Sequence, residues 1–194
     1  MAKRVKAPAD PVRQKAFERL RLRDRIEPGV RVLFVGINPG VRSAETGHHF
    51  AGYSNRFWKL LYESRLVPEP ITYVDDDRLP EFGYGITNIV ARPSPGMSDL
   101  RPHEYQDGAR VLLDKIQTFR PQVVALVGVT VYRALLISLG DPQALKRPVT
   151  LGVQKPPVPF PAKVFVLPNP SGRNANYSHD EMLRAFRALK RARR

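Results

Sequence analysis

Four short apolar, β-branched runs separated by helix-like stretches constrain this chain more than any other feature. The runs are Arg31–Ile37, Gly85–Val90, Val123–Val127 and Val164–Leu167. Apolar along their whole length, they read as central strands covered on both faces. Helical patterns lie between and after them, at Asn55–Ser64, His103–Phe119, Thr130–Ser138 and Ser178–Arg191. The last opens with the capping box Ser178-x-x-Glu181. Such alternation predicts an α/β fold, a single domain with a central, largely parallel sheet and helices on both faces.

That domain is expected to occupy residues 31–194. Residues 1–30 read as a basic flanking segment packed on it, with a helical pattern from Pro11 to Arg25 carried by Val12, Ala16, Leu20 and Leu22. The stretch Arg147–Ala162 holds five prolines and reads as an irregular loop or a short edge hairpin, not as a linker. There is no internal repeat.

Across 194 residues, 32 Lys and Arg stand against 18 Asp and Glu, a formal charge of +14. An excess of that size suits a polyanion, and nucleic acid is the first candidate partner. No apolar run approaches the roughly 18–20 residues of a membrane span, so an intracellular protein without membrane contact is expected, in cytoplasm or nucleoid if bacterial and in the nucleus if eukaryotic. The chain has no cysteine, which removes disulfides, iron–sulfur ligands and thiol nucleophiles. Its four histidines, His48, His49, His103 and His179, form no zinc-binding pattern. No metal and no cofactor are expected.

Sites in parallel α/β sheets form beyond the carboxyl ends of the strands. Three of the four runs carry asparagine there: Asn38, Asn88 and Asn169. The first sits in Gly36-Ile37-Asn38-Pro39-Gly40, a rigid polar turn in which Pro39 fixes a φ angle and Asn38 presents an amide that does not ionise. On its own, Asn-Pro-Gly is also an ordinary turn. It is neither a Walker A loop nor a dinucleotide fingerprint.

These residues, with Gly47-His48-His49-Phe50, Asn55-Arg56-Phe57-Trp58-Lys59, Gly85–Val90, Arg92, Pro95-Gly96 and Pro168-Asn169-Pro170-Ser171-Gly172, closely resemble the thymine-DNA glycosylase and mismatch-specific uracil-DNA glycosylase (Mug) family. The likeness runs from about Arg31 to the C-terminus. It implies a uracil-DNA glycosylase-like α/β/α domain, a monomer, that flips uracil out of G-mismatched duplex DNA and hydrolyses its N-glycosidic bond. Asn38 falls at the family's catalytic position and would hold the attacking water. Phe50 would stack on the extruded base and Asn88 would read its amide edge. Ile37, Ser43, His49 and Ser94 complete the implied base pocket. Ser43 and Ser94 differ from the thymine-specialised pattern, which implies a preference for uracil. Asn169, Pro170, Ser171, Gly172 and Arg173 match the loop that fills the vacated base stack.

Taken singly, Phe50 also reads as core, His49 as a structural histidine, Asn88 as a strand-end polar residue and the Pro-Ser-Gly loop as a surface turn. Asn55 reads as a helix N-cap and Trp58 as core packing. Arg184, Arg187, Lys190, Arg191, Arg193 and Arg194 near the C-terminus offer phosphate contacts. Two other functions fit parts of the pattern. A catalytically weak lesion-binding module would keep the basic surface and the loop without turnover. A nucleotide-binding enzyme would need a phosphate-binding lysine or a carboxylate–metal pair, and neither is evident.

Overall fold

The computed structural model describes residues 19–155 and 160–193. Five strands form one sheet: β1 (Val32–Gly36), β2 (Tyr84–Asn88), β3 (Val123–Val127), β4 (Gly152–Gln154) and β5 (Lys163–Leu167). Their spatial order is β2-β1-β3-β5-β4. The four long strands run parallel, and β4 pairs antiparallel with β5. The proline-rich stretch therefore yields a short edge strand, since it can pair on one side only.

Helices α1 (Val41–Thr46), α2 (Phe57–Glu63), α3 (Pro102–Phe119), α4 (Val129–Ser138) and α5 (His179–Ala192) surround the sheet, together with a 3-10 segment at Tyr73–Phe82. Alternate residues of β1 separate two cores. Val32 and Phe34 face Phe57, Leu60, Leu79 and Phe186 of α2, the 3-10 segment and α5. Leu33 and Val35 face Leu112, Ile116, Tyr132 and Leu135 of α3 and α4. The result is the expected three-layer α/β/α sandwich, with both sheet faces dry. Each fully buried Leu or Phe contributes about 1.5–3 kcal/mol.

Residues 11–18 of the expected N-terminal helix lie outside the described residues. Residues 19–25 form no helix. Arg25 instead bonds Ile86 through both backbone groups, its N–H donating at 3.1 Å and its carbonyl accepting at 2.8 Å. This strap covers the otherwise open edge of β2, and pairing with an existing strand outweighs a weak local helical pattern.

Chain direction reverses around β1. After β1 the chain crosses to β2 on one side, and β3 then returns to the other. Loops leaving β1 and β3 therefore diverge and open a crevice at the carboxyl ends of the strands.

Candidate active site

The crevice holds a cavity of about 310 Å³. That is near the lower end of the roughly 300–1,000 Å³ typical of small-molecule sites. Its walls come from every long strand exit: Gly36 to Gly40 after β1, Asn88 ending β2, Val127 and Thr130 around β3, and Asn169 with Ser171 after β5. Ser43, His49, Phe50 and Ser94 line it as well. All three strand-end asparagines meet there.

Asn38 is held by its nitrogen. Its Nδ2 donates to the Pro39 carbonyl at 2.9 Å and to Ser94 Oγ at 2.9 Å. A carbonyl only accepts, so this pair fixes which end of the amide is which. Ser94 is buried and its own hydroxyl donates to the Gly96 carbonyl. Both Nδ2 hydrogens are thus used, leaving Oδ1 as a pure acceptor for a water. Ser94 sits in the cavity wall as expected, but its hydroxyl serves Asn38 and does not project as a base-reading group.

The loop carrying Ser94 is anchored in turn. Arg92 donates to both carboxylate oxygens of Glu104 at 2.6 and 2.8 Å, and also to the Asp99 carbonyl. The Arg92 guanidinium beside Glu104 holds its carboxyl down to about 2.

Asn88 stands in contrast, with no side-chain hydrogen bond to any described residue. Its Oδ1 takes the space beside Gly36, where a Cβ would lie 2.4 Å away, so a side chain at position 36 would make the amide shift.

Phe50 has φ +50°, a left-handed conformation uncommon for an aromatic residue. Such a residue persists when its neighbours over-determine it. Here His49 N–H donates to Asp76 Oδ2 at 2.8 Å and the His49 carbonyl accepts from Trp58 Nε1 at 3.1 Å. On the other side, Ala51 N–H donates to Ser43 Oγ and its carbonyl accepts from Arg42 Nε. Phe50 also stacks on Phe57 at 4.3 Å and 24°. It is both core packing and cavity wall.

His49 is 1% exposed, and its Nε2 lies 3.0 Å from the Arg23 carbonyl, so Nε2 carries the proton. Burial pushes its pKa below the ordinary histidine value, and the imidazole is neutral. The ring borders the cavity while its polar work is structural. Asp76, fully buried, accepts from Arg25, His49 N–H and His48. Nothing in its local sequence distinguishes it from Asp75 or Asp77.

The loop after β5 turns tightly at the mouth. Asn169 Oδ1 accepts from Ser171 N–H, Ser171 Oγ accepts from Arg173 N–H, and Asn174 donates to the Asn169 carbonyl. Beneath it, Arg56 N–H donates to the Pro170 carbonyl and Arg56 Nη2 to the carbonyls of Ser171 and Asn174. A Cβ on Gly172 would fall 2.4 Å from Ser54 Cβ. Gly172 and Arg173 face solvent at the tip.

The chain matches the family model of the Uracil DNA glycosylase superfamily over residues 24–190. It is also 42% identical over 153 residues to a G/U mismatch-specific uracil DNA glycosylase of Schizosaccharomyces pombe, a match covering 77% of this chain and 46% of that protein. The chain belongs to the uracil DNA glycosylase superfamily. It spans about half the length of the curated relative it matches.

In this superfamily member two features of the site escaped the sequence. Arg56 braces the loop from 115 positions away, a link that only the fold creates. Leu22 of the strap and Thr130 reach the cavity from segments with no motif. The N-cap of α2 is Arg56, with no side-chain cap bond, and not Asn55 as read; Asn55 stands one residue earlier and accepts Phe57 N–H at 2.9 Å, while Trp58 is buried as read. The last residues of α5 reach the starting ends of two strands. Arg193 bonds the Tyr84 hydroxyl and the Ala192 carbonyl accepts from Lys163, both first residues of strands. Five-residue strands of about 3.3 Å per residue separate that end from the mouth. Arg194 lies outside the described residues.

Proposed function

We propose that this protein is a monofunctional DNA glycosylase that extrudes uracil from G·U-mismatched duplex DNA and hydrolyses its N-glycosidic bond, an opening step of base excision repair in a DNA-containing compartment. One observation carries it: a fixed amide acceptor, Asn38 Oδ1, faces the same small cavity as the uncommitted amide of Asn88. A water donating one hydrogen to Oδ1 would present its lone pair to C1′ of the flipped nucleotide. The O–C1′ bond forms as the C1′–N1 bond breaks, the electron pair leaves on pyrimidine N1, and the proton lost by the water passes to solvent, from which the released pyrimidine anion is protonated. Backbone N–H groups of the Ile37–Gly40 turn supply dipoles for the departing anion.

Asn88 offers a donor and an acceptor to the imide edge of uracil, and Phe50 gives the base a face to stack on. The loop at 169–173 would enter the duplex and hold the gap open. The activity of the Schizosaccharomyces pombe relative, a G/U mismatch-specific uracil DNA glycosylase, supports the same reading. Among the described residues none that lines the cavity is a lysine, which supports hydrolysis without a Schiff-base lyase step.

Duplexes carrying uracil or thymine opposite guanine or adenine, cleaved with alkali after incubation, test the proposal. Uracil opposite guanine should be released fastest and thymine opposite guanine more slowly. Absence of release from every duplex would defeat the glycosylase assignment. High-yield borohydride trapping of a protein–DNA adduct would defeat the hydrolytic one.

A further inference from the structure

Beside the base cavity runs a second groove of about 440 Å³. Gly40, Ser43, Gly52, Asn55, Pro95 and Ser171 line both spaces, so one opens directly from the other. Its remaining wall includes Arg42, Tyr53 and Arg173, and no acidic residue among the described residues. A polyanionic strand leaving the cavity would meet only neutral and positive groups there.

Tyr53 is 90% exposed, extreme for an aromatic side chain. It is nonetheless held in place. The Arg42 guanidinium lies 3.7 Å from its ring centroid and donates to its hydroxyl at 2.6 Å. Arg42 is itself anchored by the Ala51 carbonyl at 2.7 Å and the Tyr73 hydroxyl at 3.2 Å. A cation thus backs one face of the ring and leaves the remainder to solvent. An exposed aromatic fixed from behind is already organised for stacking and loses little entropy when a flat partner arrives.

We propose that Tyr53 is a stacking platform for a nucleotide adjoining the flipped one, with the groove between Tyr53 and Arg173 guiding the backbone of that strand. This inference rests on the glycosylase reading for its ligand, a DNA strand emerging from the cavity. It assigns Tyr53 a place outside the base pocket and outside the loop at 169–173. Arg42, on this view, acts through Tyr53 as a positioning residue.

The test measures affinity for a duplex with a tetrahydrofuran abasic analogue opposite guanine, which requires no turnover, alongside single-turnover uracil release. Tyr53→Ala should weaken binding about tenfold, in line with the stacking of one base on an aromatic ring. Single-turnover release at subsaturating enzyme should fall in proportion to the lost affinity. Tyr53→Phe should bind within about threefold of the parent, whereas Tyr53→Leu, apolar but not flat, should behave like Tyr53→Ala. Irradiating duplexes with 5-iododeoxycytidine on the 5′ or the 3′ side of the analogue should crosslink one of the two to Tyr53.

Binding by Tyr53→Ala within about twofold of the parent, Tyr53→Leu matching Tyr53→Phe, or crosslinks to Tyr53 from neither position would overturn the platform. Failure of the glycosylase reading looks different: the parent itself would release no uracil from any duplex, whatever the Tyr53 series does to binding.

Discussion

The turn after β1 and the end of β2 are neighbours in one sheet, each delivering an asparagine to the same cavity, and the two amides are treated in opposite ways. Asn38 has both nitrogen hydrogens committed to protein acceptors. Asn88 has no side-chain hydrogen bond among the described residues, and its Oδ1 lies in the space that a Cβ on Gly36 would take. A group that must hold a water in one orientation gains from being locked. A group that must exchange solvent for a ligand edge gains from being left open. On the proposed mechanism the contrast separates chemistry from recognition, although the residue type is identical.

Replacing the locked amide should have the largest effect. Asn38→Ala is expected to lower single-turnover uracil release by some hundreds to a thousandfold, the scale of losing one preorganised polar group at a reacting centre. Affinity for the abasic-analogue duplex should change little, because the loop and groove are untouched. Release within about threefold of the parent, roughly 0.65 kcal/mol, would return the Asn-Pro-Gly segment to an ordinary turn.

The open amide comes next. Asn88→Ala should reduce uracil release about thirtyfold, from two neutral hydrogen bonds at ~1 kcal/mol each. It should also shrink discrimination between uracil and bases lacking its imide edge. Gly36→Ala ought to reproduce this loss with Asn88 still present, since the added methyl would collide with Oδ1. If Gly36→Ala is as active as the parent while Asn88→Ala is not, placement by glycine is the wrong account.

Sequence made one side of this contrast visible and hid the other. Strand runs bounded by Gly and Pro gave β3 at the same residues, Val123–Val127, and β1 within one residue at each end. Their asparagines could then be placed at one mouth by topology alone. Asn38's two bonds were not legible, because Ser94 lies 56 residues away and meets it only after β2 is added to the sheet. Helix α1 was missed since six residues give no usable period, though Gly47 at φ +76° ends it with the usual left-handed glycine. The 3-10 segment at Tyr73–Phe82 carries three consecutive aspartates and a proline, a composition that reads as loop until Asp76 is seen buried. Leu20 and Leu22 suggested a helix where tertiary pairing with β2 produces a strap.

Unlocking the first amide should cost less than deleting it. Ser94→Ala removes one of its two restraints and leaves the Pro39 carbonyl in place, so a loss of about fivefold is expected from ~1 kcal/mol. Ser94→Thr keeps the hydroxyl and should recover most of that loss. An equal effect of both substitutions would mean that the position matters for its volume, not for its hold on Asn38.

The smallest effect expected is that of pH on the chemical step, and it bears on whether the lock is needed at all. Neither amide titrates, so the single-turnover rate should be flat between about pH 7 and 9. The one imidazole bordering the cavity, His49, has its pKa lowered by burial, so in the fold the ring takes up a proton only at lower pH than a free histidine does. The unfolded chain therefore binds more protons than the native one below about pH 6.5, and stability should fall as pH drops through that window. Above it, His49 contributes no pH dependence of stability. Glu104, held down to about 2, adds a separate loss only as pH falls below about 4.5. Acid should consequently lower the melting temperature before it changes the rate measured well below that temperature. His49→Gln can still donate to the Arg23 carbonyl through its amide and cannot take up a proton, so it should flatten the melting curve near pH 6 while leaving release unchanged. A release rate that instead rises through an apparent pKa of about 6–7, and loses that rise in His49→Gln, would make the buried imidazole the proton acceptor and reduce Asn38 to its support.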